Sequence, residues 1–231
     1  MTIKAVLFDF SGTLCRIEPV GTWLRAVVDH AGISLSDAEF TRCERELTWS
    51  GALPGGPPPQ QVPSHLTALW AARDKSAEQH RAAYTGLARQ VALPDAGLYE
   101  ALYDRHMTPA AWRPYPDAVE VLEGLRRRGI GVCVLSNIGW DLRPVFRAHG
   151  LDGLVDDYVL SYEHGVQKPD ARIFRIACEA VGQDPGDVLM VGDDRRADGG
   201  AADLGCAVHF VDHLMAAERP DGLRPVLALI G

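Results

Sequence analysis

Lysine is scarce in this chain: there are three, Lys4, Lys75 and Lys168, and every other basic residue is arginine. Positive charge is short overall, since 23 basic residues face 31 acidic ones and the net charge is −8. The one basic run, Arg126-Arg127-Arg128, is too short to form a stripe, so no nucleic-acid partner is expected. No apolar stretch reaches the ~18 residues of a membrane span. The N-terminus lacks the charged-then-apolar pattern of a secretory signal, so no membrane partner is expected either. Cysteine is sparse and odd in number, and no two of Cys15, Cys43, Cys133, Cys178 and Cys206 stand at a C-x-x-C spacing. That excludes a disulfide framework and a cysteine zinc site, and fits reduced thiols in a cytoplasmic protein. What is present suffices for a folded core. The 231 residues are 47% hydrophobic and 23% charged, a balance that excludes general disorder.

The pattern along the chain changes twice. Residues 3–8 form a short apolar run that reads as a buried strand, ending at Asp9 and the turn-like Ser11-Gly12-Thr13. Residues 15–113 read as entirely helical, with helices near 20–31, 36–49, 64–73, 75–91 and 96–107. Ser36 with Glu39 fits a capping box, and Ser64 and Ser76 could each cap a following helix. The Leu53–Pro59 segment, with two glycines and four prolines, is a loop between helix pairs. From Pro114 on, helices near 117–128, 140–149, 170–181 and 196–204 alternate with strands at 131–135, 157–160, 187–191 and 207–211. A last helix is broken around Pro220. Near-continuous apolar strands alternating with helices indicate a parallel sheet covered on both faces. The expected fold is therefore α/β: a Rossmann-like core from residues 1–14 and 114–231, with residues 15–113 inserted as an all-helical cap.

Three of these strands end in polar residues, and in a parallel sheet sites form at strand carboxyl ends. Asp9 ends the first, Ser136 and Asn137 the strand at 131–135, and Asp193 and Asp194 that at 187–191. Lys168 precedes Pro169 at the start of a helix. Carboxylates, a hydroxyl, an amide and an ammonium converging there suit a phosphate and a divalent cation.

In this order, Asp9-Phe10-Ser11-Gly12-Thr13, Leu135-Ser136-Asn137, Lys168-Pro169 and Gly192-Asp193-Asp194 with Asp198, the motifs resemble those of the haloacid dehalogenase superfamily of hydrolases. The resemblance spans the whole chain, and the insertion sits where this superfamily often carries a cap. It implies Asp9 as nucleophile, forming a covalent intermediate. It implies Ser136 and Asn137 as donors to the transferred group, with Gly12 and Thr13 lining its site, and Lys168 as the cation that steadies Asp9. Magnesium is the implied cofactor, held by the Asp9 and Asp193 carboxylates and the main-chain carbonyl of Ser11. Asp194 and Asp198 would orient the surrounding groups, or simply cap the next helix.

Ser11 departs from the pattern. The phosphatases that this chain resembles usually carry a second aspartate there, which protonates the leaving oxygen; the dehalogenase branch usually carries tyrosine. A serine hydroxyl does neither task well, and loss of a general acid typically costs ~10²–10⁴-fold. The expected activity is a magnesium-dependent phosphatase acting on a small phosphorylated metabolite. Two alternatives stand beside it: a 2-haloacid dehalogenase-like hydrolase, and a phosphate- or magnesium-binding protein with impaired turnover. The dehalogenase reading needs a cap arginine, for which Arg42 and Arg45 are candidates. Phosphonate cleavage would need a cap lysine, and Lys75 is the one available. His164 is placed beside the site. Trp23, Trp49 and Trp70 read as cap core, Met190 as strand core, and the His209/His213 spacing as coincidence.

Overall fold

The computed structural model describes residues 2–230, in which seven strands and ten α-helices are numbered below in chain order. The first strand, β1 (Ala5–Phe8), leads to β2 (Cys15–Ile17). The inserted helices follow: α1 (Val20–His30), α2 (Asp37–Ser50), α3 (Thr67–Ala71), α4 (Ala77–Ala88) and α5 (Leu98–His106). The chain returns through β3 (Trp112–Pro114), α6 (Ala118–Arg127), β4 (Gly131–Ser136), α7 (Arg143–Ala148), β5 (Asp157–Leu160) and α8 (Ser161–His164). It ends with α9 (Ala171–Ala180), β6 (Val188–Gly192), β7 (Ala207–Phe210) and α10 (Pro225–Leu229).

Five strands form one parallel sheet in the order β5-β4-β1-β6-β7. The register of β1, with Leu7 facing Cys133 on one side and Met190 on the other, brings the carboxyl ends of β4, β1 and β6 side by side. Alternation sorts the strand residues between two apolar layers. Val6, Phe8, Val132, Val134 and Val191 face the layer with α6 and α7, whereas Leu7, Cys133, Leu135 and Met190 pack against Phe174 and Ala177 of α9. Met190 is thus strand core, as expected.

The insertion departs from the all-helical expectation at its edges. Residues 15–17 and 112–114 pair as a two-stranded antiparallel ribbon, Cys15 opposite Pro114 and Ile17 opposite Trp112. Strands of three residues are too short to show an alternation, and their partners lie almost a hundred residues apart in sequence. The entry and exit of the insertion are therefore a bonded ribbon, braced where Arg105 donates to Glu18 at 2.7 and 2.8 Å. Ser36 and Glu39 form their reciprocal capping box, and Ser76 caps α4, but Ser64 caps nothing. The helix expected at 64–73 breaks into a 3-10 turn, α3 and a second 3-10 turn at Arg73–Lys75. The one expected at 196–204 is 3-10 over Asp198–Leu204, where Gly199-Gly200 weakens helix propensity. No described helix is long and apolar enough to cross a membrane.

Candidate active site

A cleft of about 530 Å³ lies over the carboxyl end of the sheet, between it and the insertion. Its floor carries Asp9, Ser11, Ser136, Asn137, Lys168, Asp193, Asp194 and Asp198. These come from the ends of β1, β4 and β6 and from the loops after α8 and β6, so the sheet order itself assembles them.

Lys168 is the centre of this floor. It is buried, and its ammonium donates to Asp9 Oδ1 at 2.7 Å, Asp198 Oδ1 at 2.6 Å and the Leu135 carbonyl at 3.1 Å, so all three donors are occupied. Burial alone would discharge it, but Asp198 and Asp9 hold the ammonium above the usual lysine range. Burial pushes the Asp9 carboxyl up to about 8 against the pull of Lys168, and Asp198 and Asp193 push the same way. Asp198 is nearly inaccessible and bridges the floor, taking Lys168 on one oxygen and the Asp194 amide on the other at 3.0 Å. Gly192 makes room for it, since a Cβ there would stand 2.1 Å from Asp198 Oδ2.

Asp9, Asp193 and Asp198 each offer an oxygen within 4.8 Å of the others. With all three ionised against one ammonium, about two negative charges would be in excess; that crowding helps to raise the Asp9 carboxyl, and a divalent cation is what would offset it. Hard oxygen donors are what Mg²⁺ selects, so the residues present fit the ion that the family resemblance implies. Asp198 is the most enclosed of the three and is tied to Lys168 and the Asp194 amide, whereas Asp9 and Asp193 line the cleft beside Ser11, the three residues the resemblance implies as the group to hold it. The bonds shaping the turn after Asp9 run from Gly12 N to Cys15 O and from Cys15 N to Phe10 O, and bypass the Ser11 carbonyl.

The remaining expected residues take distinct places. Thr13 is fully buried, its hydroxyl 3.5 Å from Asp193 Oδ1, and Gly12 adopts a φ of 85° beneath Asp193. Ser136 is buried at the end of β4. Asn137, expected to donate to the transferred group, lines the cleft and also clasps the Lys168 backbone, accepting from its N–H at 2.7 Å and donating to its carbonyl at 3.0 Å. Its side chain positions Lys168. Asp194 lines the cleft while its carboxylate caps Arg196 N and Ala197 N. His164 is exposed and outside the cleft, as is Lys75. Arg42 is turned to Glu46 and the Ala92 carbonyl, and Arg45 lines a separate 210 Å³ cleft beside Trp49. Trp49 is 53% exposed and is not cap core; Trp23 is buried, and Trp70 walls the active cleft.

Several residues escaped the sequence reading. His209 and His213 do not act as a pair; His213 alone contacts the Asp193 carboxylate through Nδ1. Arg219, buried and laid over the Tyr115 ring at 3.2 Å, donates to Gly12 O at 2.7 Å and to Thr13 O, clamping the turn after Asp9. Gly55 lies directly on Ser11: a Cβ there would meet Ser11 Oγ at 2.6 Å and the Trp112 ring at 2.9 Å. Arg16 holds this loop down by donating to the Gly55 carbonyl at 2.8 Å. Arg73 and Tyr84 complete the wall contributed by the insertion. The proximity of a proline loop and a C-terminal arginine to Asp9 leaves no local mark in sequence.

The sequence profile of the haloacid dehalogenase-like hydrolases matches residues 3–204. A phosphoserine phosphatase of Thermus thermophilus is 32% identical over 95% of this chain and 92% of its own. The (S)-2-haloacid dehalogenase 4A of Burkholderia cepacia is 28% identical over 88% of this chain and 80% of its own. The fold is that of the L-2-haloacid dehalogenase of Xanthobacter autotrophicus, with a TM-score of 0.65 over 97% of this chain and 83% of that one at 22% identity. With its motifs at the ends of β1, β4 and β6 and a helical insertion after β1, the chain belongs to the haloacid dehalogenase-like hydrolases.

Proposed function

We propose that this hydrolase is a Mg²⁺-dependent phosphatase of small phosphate monoesters, working through an aspartyl-phosphate at Asp9. The observation that carries the reading is the acidic triad of Asp9, Asp193 and Asp198 around a single, fully engaged lysine. A 2-haloacid carries its carboxylate one bond from the carbon under attack, which would set that charge against Asp193 and Asp198. A metal-neutralised acidic floor suits a phosphoryl group instead. Arg42 and Arg45, the arginines a dehalogenase would have drawn on, lie away from the cleft.

Bound at Asp9, Asp193 and the Ser11 carbonyl, Mg²⁺ would supply electrostatic stabilisation of phosphoryl charge. The protein's own steps run as follows. Lys168 holds Asp9 Oδ1 and so fixes the carboxylate for attack. Asp9 forms a bond to phosphorus as the ester P–O bond breaks, and the leaving oxygen departs with the electron pair. Water then attacks phosphorus, the aspartyl P–O bond breaks, and Asp9 is regenerated with release of inorganic phosphate. Ser136 and Lys168 line the phosphoryl position, and the insertion excludes bulk water.

Ser11 cannot donate a proton effectively to the leaving oxygen, so basicity of that oxygen sets the barrier. Phosphate and halide release are measured on a panel with and without Mg²⁺. Aryl and acyl phosphates are expected to react fastest, only with Mg²⁺, with a steep dependence on leaving-group pKa. Halide release from a 2-haloacid without phosphate release from any ester would overturn the reading. A shallow leaving-group dependence would show that another residue supplies the proton.

A further inference from the structure

We propose that Cys178 and Cys206 form an oxidation site, a reversible disulfide that closes the loop carrying Asp193 and Asp198. The site lies outside the cleft and does not depend on the phosphatase reading.

The two sulfurs are already neighbours. Cys178 lies on the buried face of α9, and Cys206 stands just before β7. Their Sγ atoms are 4.0 Å apart, a non-bonded contact between two thiols. A disulfide holds its sulfurs at about 2.05 Å, so a gap of about 2 Å has to close. No other two cysteine sulfurs touch among the described residues. Cys15 and Cys43 belong to the opposite apolar layer, and Cys133 shares this one from within β4.

Reactivity and access both single out the pair. Burial pushes the thiols of Cys15, Cys43 and Cys133 up, as it does for inert core cysteines. Cys206 moves the other way, because the Cys178 S–H is directed at it and favours its thiolate. The same contact, together with burial, pushes Cys178 up. Cys206 is therefore the nucleophile and Cys178 the partner that keeps its proton. Cys15, Cys43 and Cys133 are fully inaccessible, whereas Cys178 and Cys206 retain 3% and 6% exposure. The residue before Cys206 is Gly205, whose Cβ position opens on empty space. Its φ of 99° is one that glycine holds freely, so the turn can shift towards α9.

A hydroperoxide is the oxidant that suits a site with so narrow an opening. The Cys206 thiolate attacks one peroxide oxygen, the O–O bond breaks, and the other oxygen leaves and is protonated. The Cys178 sulfur then attacks the sulfenic acid on Cys206. The S–S bond forms, the S–O bond breaks, and the oxygen departs as water with the Cys178 proton. The two thiols lose two electrons in all, and the peroxide takes them up. Exchange with a free dithiol reverses the step.

The position of the bond gives it a consequence. The two cysteines are 28 residues apart, and the loop between them holds β6, Asp193 and Asp198. At the floor, this loop already meets the segment leading into α9. Asp198 accepts from Lys168 at 2.6 Å, and a Cβ on Gly200 would lie 2.7 Å from Pro169. An ion pair joins the two segments at the floor, and the disulfide would join them at the far end. A closed loop has fewer unfolded conformations, so oxidation stabilises the acidic half of the floor.

The test treats the folded full chain with hydrogen peroxide, alkylates the remaining thiols and maps the peptides by mass spectrometry. Two of the five free thiols should be lost, and a Cys178–Cys206 linked peptide should appear. The intact mass should fall by about 2 Da, and dithiothreitol should restore it. The oxidised protein should melt about 5 °C or more above the reduced one. In Cys178→Ala, Cys206 should stop at the sulfenic acid, which dimedone traps, and peroxide should no longer raise the melting point. The peptide map is made on the wild type, so it decides the matter even if the variant fails to fold. Thiol loss without the linked peptide, a link to Cys133 instead, or a link that forms only in urea overturns the proposal. A linked protein that melts no higher than the reduced one overturns it as well.

Discussion

His106 gives the insertion a built-in sensitivity to acid that can be worked through from its surroundings. It ends α5, is fully buried, and stacks among His80, Tyr103 and Trp140. Its Nδ1 meets the Tyr103 carbonyl, while Nε2 has no partner among the described residues. Nδ1 therefore carries the hydrogen and Nε2 is a bare lone pair. Protonation would bury an N–H with no acceptor, and burial accordingly drives the pKa down from 6.5 to about 3. His80, 5.7 Å away ring to ring, is pushed well below its usual value by burial, with His106 and Arg73 adding to it. Both bases bind protons more readily in the unfolded chain. Their contribution to stability is complete above pH 6.5 and is lost as pH falls from there towards the folded values. At pH 5 His106 alone costs on the order of 2 kcal/mol, a large share of the ~5–15 kcal/mol that holds a typical domain together. Replacing His106 by Met removes its titration and one hydrogen bond. At pH 7.5 the variant should be less stable by about 1 kcal/mol. At pH 5 the deficit should vanish or reverse, because only the wild type then carries the cost of protonating His106, while His80 is common to both. Urea unfolding of both proteins at the two pH values measures the gap, with Trp112 fluorescence as reporter, since its indole N–H donates to the His106 carbonyl at 2.7 Å. Parallel stability curves would refute the reasoning.

Other substitutions probe the floor and its supports. Arg219→Met removes the clamp on Gly12 and Thr13 and strands two buried carbonyls; stability should fall by ~2–4 kcal/mol in thermal or urea melts and turnover with it, and Arg219→Lys should rescue little. Asp193→Asn should abolish Mg²⁺ binding in calorimetric titration, whereas Asp198→Asn, which loses a partner of Lys168, should weaken it only ~10–100-fold. Ser11→Ala should leave Mg²⁺ affinity unchanged, because the main-chain carbonyl remains. Gly55→Ala, forced into a φ of 75° and against Ser11 Oγ, should destabilise by at least ~1–2 kcal/mol and shift the denaturation midpoint accordingly.

The floor of the cleft was legible in sequence because strand ends are. A buried parallel strand is a continuous apolar run, and a polar residue at its end can only sit at the rim of the sheet. Asp9, Ser136, Lys168 and Asp193 stand on such ends or on the loops beside them, so motif order alone placed them together. The wall of the cleft follows no such rule. Arg73 lies in a 3-10 turn between two helices, where neither a 3.6 nor a 2.0 period marks a face. His213 and Arg219 belong to a C-terminal stretch with little regular structure, and only the three-dimensional fold returns it to the Asp9 turn. Ser11 shows the difference most directly. From sequence it is a missing acid. In the structure the same small side chain lies under Gly55, with the proline loop held against it by Arg16. An aspartate at position 11 would have to share that space with the loop. Ser11→Asp therefore tests packing as much as chemistry. It can speed the release of basic leaving groups only if the Gly55 loop yields room for the longer side chain.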